Sequence, residues 1–171
     1  MPIVCAAISE PFTRNTFTIL ASYSNKRDGE KLLFGQNFIL KLTDSTEEDL
    51  YLRSVTPLID DTRGPGEHNR VLLSNIKDCY CLWKVLLCNK SQRFESEGTP
   101  VPVSDRIVIT HVMTGECLAV ERLNCQSSIF GVECGISVHT YRDVNKRETP
   151  ECHWMFVTEK VPRGTAEKEC K

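Results

Sequence analysis

Two tryptophan-containing segments constrain the fold of this chain more than any other feature of its sequence. Leu82 to Leu86 reads Leu-Trp-Lys-Val-Leu, and His153 to Val157 reads His-Trp-Met-Phe-Val, which places the two tryptophans 71 residues apart. Two further apolar segments, around Phe38 and around Ile107, lie 69 residues apart. Since two independent spacings agree so closely, the sequence predicts an internal repeat of similar structural units.

One unit is complete in the stretch from Val103 to Thr158. Alternating β-branched and apolar residues predict its strands. A tight turn at residues 113–116 is predicted between the first two strands, which form a hairpin, because Gly115 is free to adopt a positive φ. An irregular segment is expected between the second and third strands. The four predicted strands are Ile107 to His111, Cys117 to Glu121, Gly135 to Tyr141 and His153 to Thr158.

The middle of the chain carries the same outline. Its predicted strands are Asn37 to Leu42, Leu50 to Arg53, Val71 to Leu73 and Leu82 to Leu86. Closer to Met1, Asn15 to Leu20 matches a closing strand around Phe17, and Val4 to Ile8 matches a third strand. The chain therefore has three closing strands but only two opening hairpins.

This uneven count predicts an all-β fold, a β-trefoil barrel of pseudo-repeated four-strand units whose first unit is incomplete. The predicted partition assigns residues 1–35 to the partial first unit, with its closing strand near Phe17, and residues 36–93 and 94–158 to the second and third units. Residues 159–171 form a charged C-terminal tail, which we expect to be disordered in isolation. Because an open barrel exposes unpaired strand edges, we expect the gap to face another protein or an additional segment.

Charge and hydropathy argue against several classes of function. The formal net charge of the chain is −2, whereas a nucleic-acid binder needs clustered lysine and arginine. No apolar run approaches the roughly 20 residues that a membrane helix requires, and no secretion signal is recognisable near Met1. We therefore expect no nucleic-acid partner, no membrane partner and a location in the cytoplasm.

Nine cysteines are many for a chain of this length, and their odd number cannot all pair. Without a secretion signal, free thiols that behave as small buried hydrophobic groups are expected. A zinc site would need two close cysteine pairs, or one such pair with a histidine pair, and only Cys79 and Cys81 are close in sequence. The sequence predicts no metal site and no cofactor.

The histidines are the main candidates for acid–base catalysis, and none lies in a recognisable catalytic motif. His139 has Asp143 nearby, and His153 adjoins a core tryptophan. The chain carries no nucleophile elbow, phosphate loop or metal-binding helix. We expect these histidines to bond to backbone carbonyls, and we predict that the protein is not an enzyme and has no catalytic residues.

The repeat at Ser104 to Thr158 resembles the MIR-type trefoil repeat, and the whole chain resembles the cilia- and flagella-associated protein 161 family. The segments that carry the family resemblance run in order along the chain. They are Arg14 to Phe17, Phe34 to Phe38, Leu82 to Leu86, Glu97 to Pro102, Thr110 to Val120, Phe130 to Glu133, His139 to Asp143, Lys146, Glu148 and His153 to Thr158.

This resemblance implies a MIR-like β-trefoil and a non-enzymatic structural protein on the luminal wall of axonemal doublet microtubules. The implied partners are α/β-tubulin and other microtubule inner proteins, and the implied location is the cytoskeleton of the ciliary or flagellar axoneme. The alternative function is a glycan- or ligand-binding lectin-type trefoil module. Such a module would need a shallow pocket with an aromatic platform and a convergent Asp or Asn in each unit, and it would be secreted. Trp83 and Trp154 instead occupy predicted core positions, and no secretion signal is recognised.

Two long loops are candidates for partner contact. Thr56 to Asn69 contains two prolines and two glycines and is interpreted as a solvated surface loop, with partner contact as the alternative. On the second loop, Tyr141 to Glu151, we predict that Arg142, Lys146 and Arg147 meet an acidic neighbour.

Overall fold

The computed structural model describes residues 4–6, 16–22, 29–43, 48–55, 68–129 and 131–158. Its strands are β1 (Val4–Ala6), β2 (Phe17–Ala21), β3 (Asn37–Leu42), β4 (Tyr51–Ser54), β5 (Asn69–Ser74), β6 (Trp83–Leu87), β7 (Ile107–His111), β8 (Leu118–Ser128), β9 (Gly131–Val138) and β10 (His153–Trp154). Its helices are short: α1 (Arg93–Ser96) and the 3₁₀ helices Cys79–Cys81, Lys90–Gln92 and Pro150–Cys152. Most of the predicted loop at 56–69 and the tail at 159–171 lie outside the described residues.

The strands form an antiparallel sheet that curves into a nearly closed barrel. Five of them follow one another as β2, β3, β6, β7 and β10. The pairs β4–β5 and β8–β9 form two hairpins, which are joined by pairing between β5 and β9, and β1 pairs with residues 133–135 of β9 on the same side as β5. This nearly all-β barrel confirms the predicted fold class, whereas the division of the chain into units stays a prediction.

The core lies inside the barrel, and both tryptophans pack in it. Trp83 is fully buried, and its Nε1–H donates to the carbonyl oxygen of Leu52 at 2.9 Å. Trp154 makes the corresponding bond in the other repeat, to the carbonyl oxygen of Leu118 at 2.7 Å. The buried members of the core are Phe34, Phe38, Leu40, Leu52, Val71, Trp83, Val85, Ile107, Ile109, Leu118 and Val138.

Three details of the last repeat differ from the prediction. The expected irregular segment between Glu121 and Gly135 is wrong, since β8 runs on to Ser128 and β9 begins at Gly131, with a bulge between Glu121 and Cys125. The first two strands of this repeat, expected to form a hairpin, are joined by the antiparallel bridge between Thr110 and Cys117 and by the hydrogen bond from His111 N–H to the Glu116 carbonyl oxygen, whereas β8 pairs along most of its length with β9. The closing strand is limited to His153–Trp154.

The cysteines are not all free. Cys125 and Cys134 lie directly opposite each other on β8 and β9 and form a disulfide, which corrects the expectation of free thiols. Among the described cysteines, Cys81, Cys117 and Cys152 are free and buried, as small apolar groups would be. No described residues form a cluster of three or more potential metal ligands. No helix in the described part of the chain is long and apolar enough to span a membrane.

Candidate partner-binding surface

Residues 142–147, which we call the basic loop, form a tightly closed turn between β9 and the last 3₁₀ helix. The Asp143 carboxylate accepts hydrogen bonds from the backbone N–H groups of Asn145 at 2.8 Å and Arg147 at 2.9 Å. Backbone bonds from Asp143 N–H to the Arg147 carbonyl and from Lys146 N–H to the Asp143 carbonyl close the same turn. These bonds fix the course of the loop backbone, because they satisfy its polar groups locally.

Lys146 adopts a backbone conformation that a non-glycine residue rarely takes. Its φ is +58°, in the left-handed region, where a side chain costs of order 1–3 kcal/mol. The carbonyl oxygen of Lys146 accepts a hydrogen bond from Nζ of Lys90 at 2.6 Å. The strained residue is therefore held from a second segment of the chain.

Glu148 anchors the base of the basic loop. Its carboxylate is 6% exposed and lies 3.2 Å from both Nη1 of Arg93 and Nζ of Lys90. Burial acts to raise the pKa of Glu148, but a hydrogen bond from its own backbone and the two cations outweigh burial and hold that pKa below its usual value. Glu148 therefore stays ionised at neutral pH and ties the loop to residues 90–96.

The three cations predicted to contact a partner all lie on this loop and are all exposed. Within the described residues, Arg142, Lys146 and Arg147 form no ion pair, and Val144 between them is 98% exposed. The arrangement presents positive charge and one apolar side chain on a constrained turn. Such a turn can bind an acidic protein surface at little cost in backbone entropy, because its conformation is already fixed.

A shallow cavity adjoins the anchor on the other side of Arg93. Nε of Arg93 donates to the Leu87 carbonyl oxygen at 2.7 Å, and its Nη2 is buried without a hydrogen-bond partner among the described residues. Lys84 and Phe94 line the cavity with Arg93, and Phe94 is 89% exposed. Because Glu97 also lines the cavity, its charge is mixed, and its contribution beside the basic loop is the exposed ring of Phe94. We refer to the loop, Lys84, Lys90, Arg93 and Phe94 together as the basic surface.

A hydrogen-bonded cluster centred on Glu121 includes Tyr141, which directly precedes the basic loop. The sequence analysis did not predict this cluster. Oε1 of Glu121 is 2.7 Å from Nδ1 of His68, Oε2 accepts from the Tyr141 hydroxyl at 2.6 Å, and Ser137 donates a further hydrogen bond. Burial acts to raise the pKa of Glu121, but these three partners together lower it. The carboxylate is fully engaged, so its role here is to hold the segment that leads into the basic loop.

The histidines are positioned differently from one another. His139, predicted to bond to a backbone carbonyl, instead stacks on His68 with ring centroids 3.7 Å apart. Burial, and then the neighbouring His68, lower the pKa of His139. His111 is fully buried, with Nε2 3.0 Å from the carbonyl oxygen of Tyr80. No described cysteine or serine is set beside a free histidine in the manner of a catalytic nucleophile and base.

Comparison with known proteins identifies close similarity over most of the chain. A family model described as "Cilia- and flagella-associated protein 161-like domain" matches residues 2–63 and 65–159. Curated proteins named "Cilia- and flagella-associated protein 161" are 34% identical over 149 residues in Danio rerio, 34% over 149 residues in Bos taurus and 36% over 151 residues in Mus musculus. The alignments cover 87%, 86% and 86% of this chain but 49%, 46% and 50% of those proteins. The chain thus spans about half the length of the curated relatives that it matches.

Proposed function

The chain belongs to the cilia- and flagella-associated protein 161 family, and from this premise we propose that it is a structural protein of the ciliary or flagellar axoneme. Its role is that of a microtubule inner protein, bound to the luminal wall of doublet microtubules and stabilising them. The match to the family over nearly the whole chain carries this proposal. The partners are α/β-tubulin and other microtubule inner proteins.

The architecture supports a role as a rigid structural element. The barrel buries its core residues completely at Phe38, Trp83 and Val85, and close packing resists deformation. A protein bound along a repeating lattice gains avidity when many modest contacts are made at once. A rigid unit suits this mode of binding, because its surfaces do not have to be ordered at each contact.

The charge distribution supports a local rather than a long-range electrostatic interaction. At a net charge of −2, the chain as a whole is not attracted to an acidic partner. The basic surface nevertheless concentrates exposed cations on one constrained turn, beside Lys90 and Arg93. We therefore assign the contact with an acidic face of a neighbouring protein to this surface.

The described polar groups support a non-enzymatic role. The Glu121 carboxylate is occupied by three hydrogen-bonding partners, and the Glu148 carboxylate by two cations. The lectin-like alternative gains no support from Trp83, which is fully buried and offers no aromatic platform. Binding through surface complementarity remains the activity that the geometry favours.

The proposal is tested by reversing the charge of the basic loop in a ciliated cell. The variant carries Arg142→Glu, Lys146→Glu and Arg147→Glu, and its incorporation into demembranated axonemes is compared with that of the wild type. Each exposed ion pair contributes up to about 1 kcal/mol, so losing three and adding repulsion should lower incorporation by about tenfold or more.

A matched control separates the loop from net charge. The control variant reverses three other exposed cations, at Lys31, Lys77 and Arg106. Both variants change the net charge equally, and circular dichroism verifies that both are folded. Incorporation that is unchanged in the loop variant, or equally reduced in the control, would contradict the assignment.

A further inference from the structure

The barrel wall ends at two strand edges. β2 pairs with β3, and β10 pairs with β7, but among the described residues neither strand has a partner on its other side. An unpaired edge presents backbone N–H and C=O groups that can bind another strand. Since the five strands form a nearly closed barrel, these two edges border one gap in its wall.

Backbone and side chains of β2 are both arranged to receive a strand. Thr43 N–H donates to the Thr16 carbonyl oxygen, so the alternation of an antiparallel pair directs the backbone groups of Phe17, Ile19 and Ala21 away from β3. Ile19 lies directly opposite the core residue Leu40 and therefore shares its inward face. Ile19 is nevertheless 39% exposed, because nothing in the described chain covers it from the gap.

A comparison of the two tryptophans shows that the other edge, at β10, also lacks a neighbouring strand among the described residues. Trp83 and Trp154 make equivalent hydrogen bonds to Leu52 and Leu118, yet Trp83 is 0% exposed whereas Trp154 is only half-buried. Trp83 belongs to β6, which lies between two strands, while Trp154 belongs to β10, which has one neighbour among the described strands. The missing neighbour explains why equivalent side chains differ in burial.

The two opening strands define what the missing strand must look like. β3 pairs antiparallel with β2 and β6, and β7 pairs antiparallel with β6 and β10. Each directs two apolar side chains, at positions i and i+2, into the core: Phe38 and Leu40 on β3, Ile107 and Ile109 on β7. A third strand with this pattern would pair with β10 on one side and with β2 on the other.

We propose that the gap between β2 and β10 binds one extended polypeptide strand, antiparallel to both edges, whose apolar side chains at i and i+2 cover Phe17, Ile19 and Trp154. Its source is the part of the family's longer chains that this chain does not span. That part amounts to about half of each matched relative, so those proteins carry enough additional sequence to supply the strand. This site is separate from the basic surface and does not depend on the proposed function.

Peptide binding tests the proposal directly. The probes are 12-residue peptides tiled across the unmatched half of the Mus musculus relative. In the Trp83→Phe variant, Trp154 is the sole tryptophan, because the chain contains two. One peptide with apolar residues at i and i+2 should bind, shift the Trp154 emission to shorter wavelength and slow amide hydrogen exchange at Ile19.

Two controls establish where and how the peptide binds. N-methylation of alternate backbone nitrogens in the peptide should weaken binding by about tenfold or more, because each methyl group removes an interstrand hydrogen bond. Ile19→Asp should weaken binding similarly, whereas Thr18→Asp, on the opposite face of β2, should leave it within about twofold. Hydrogen exchange on the unsubstituted chain gives the same answer if Trp83→Phe impairs folding.

Three outcomes would overturn the proposal. The first is that no tiled peptide binds or slows exchange at β2 and β10. The second is binding that Ile19→Asp and Thr18→Asp affect equally, which would place the peptide elsewhere. The third is binding by a peptide copied from β3 but by no tiled peptide, which would assign the gap to a strand from a different protein.

Discussion

We predict that Trp83→Ala lowers the free energy of unfolding by about 4–5 kcal/mol and Trp154→Ala by only about 2–3 kcal/mol. The two residues occupy equivalent places in their repeats, and each donates one hydrogen bond from its indole to a leucine carbonyl oxygen. The difference therefore measures burial rather than chemistry.

The magnitudes follow from what each ring covers. Trp83 is 0% exposed, so its removal leaves a cavity enclosed on all sides and a buried Leu52 carbonyl without its donor. Large-to-small substitution at such a site costs about 3–5 kcal/mol, and an unsatisfied buried carbonyl about 1–3 kcal/mol, with overlap between the two. Trp154 is half-buried at the edge of the barrel, where water can enter and hydrate the Leu118 carbonyl.

Urea unfolding monitored by far-ultraviolet circular dichroism measures both variants with one signal. The difference of about 1–2 kcal/mol corresponds to midpoints separated by about 0.5–1 M urea at an unchanged m-value. The tryptophan that remains in each variant provides a second, fluorescence-based transition that should coincide with the first. Equal losses, or a larger loss for Trp154→Ala, would refute the view that the barrel wall is open beside β10.

Two further predictions concern charged groups. Burial lowers the pKa of His111, although its hydrogen bond to the Tyr80 carbonyl opposes the shift, so the unfolded chain binds a proton more readily than the folded chain. The free energy of unfolding should therefore fall as the pH drops below about 6.5, by at most about 1.4 kcal/mol per pH unit for this group. The slope of stability against pH between about pH 7.5 and 5.5 should decrease in His111→Gln, and an unchanged slope would contradict this prediction. Glu148→Gln should lower the free energy of unfolding in urea by about 1–2 kcal/mol, because it leaves Arg93 and Lys90 without their counter-ion. The control Glu95→Gln, at an exposed position, should change stability by less than about 0.5 kcal/mol. Equal effects of the two substitutions would argue against an anchor at Glu148.

The barrel was predictable from the sequence because its strands repeat. Phe38 and Ile107 occupy equivalent positions in the core, and so do Trp83 and Trp154, which explains the similar spacing of the two pairs. Phe38, Ile107 and Trp83 are fully buried. Hydrophobic alternation is a local signal, so a buried strand shows it whatever its partner. The count of three closing strands against two opening hairpins likewise predicts an open barrel.

The extended β8–β9 hairpin and its disulfide were not predictable in the same way. Residues 122–127 are exposed on both faces and include Asn124, Cys125 and Gln126, which carry neither alternation nor high β-propensity. Their strand conformation comes from pairing with β9, a tertiary effect that overrides local preference. Because no secretion signal was recognised, the cysteines were expected to be free, and only the register of the hairpin brings Cys125 opposite Cys134.

The geometry of the candidate site was also beyond the sequence. Arg142, Lys146 and Arg147 were identified as a cationic group, but their presentation depends on a positive φ at Lys146 and on Glu148, whose partners lie more than 50 residues away in sequence. The stacking of His68 on His139 is likewise a contact between distant segments. Such contacts follow from the closed fold and leave no local pattern.

The location of the chain within the axoneme tests the central claim most directly. A tagged chain is expressed in a cell with motile cilia, the axonemes are demembranated and washed in high salt, and protease is then added to intact doublets. The proposed luminal position predicts that the chain is retained along the axoneme and is digested only after the doublets are dissolved. Release by detergent or salt, or immediate digestion on intact doublets, would contradict it.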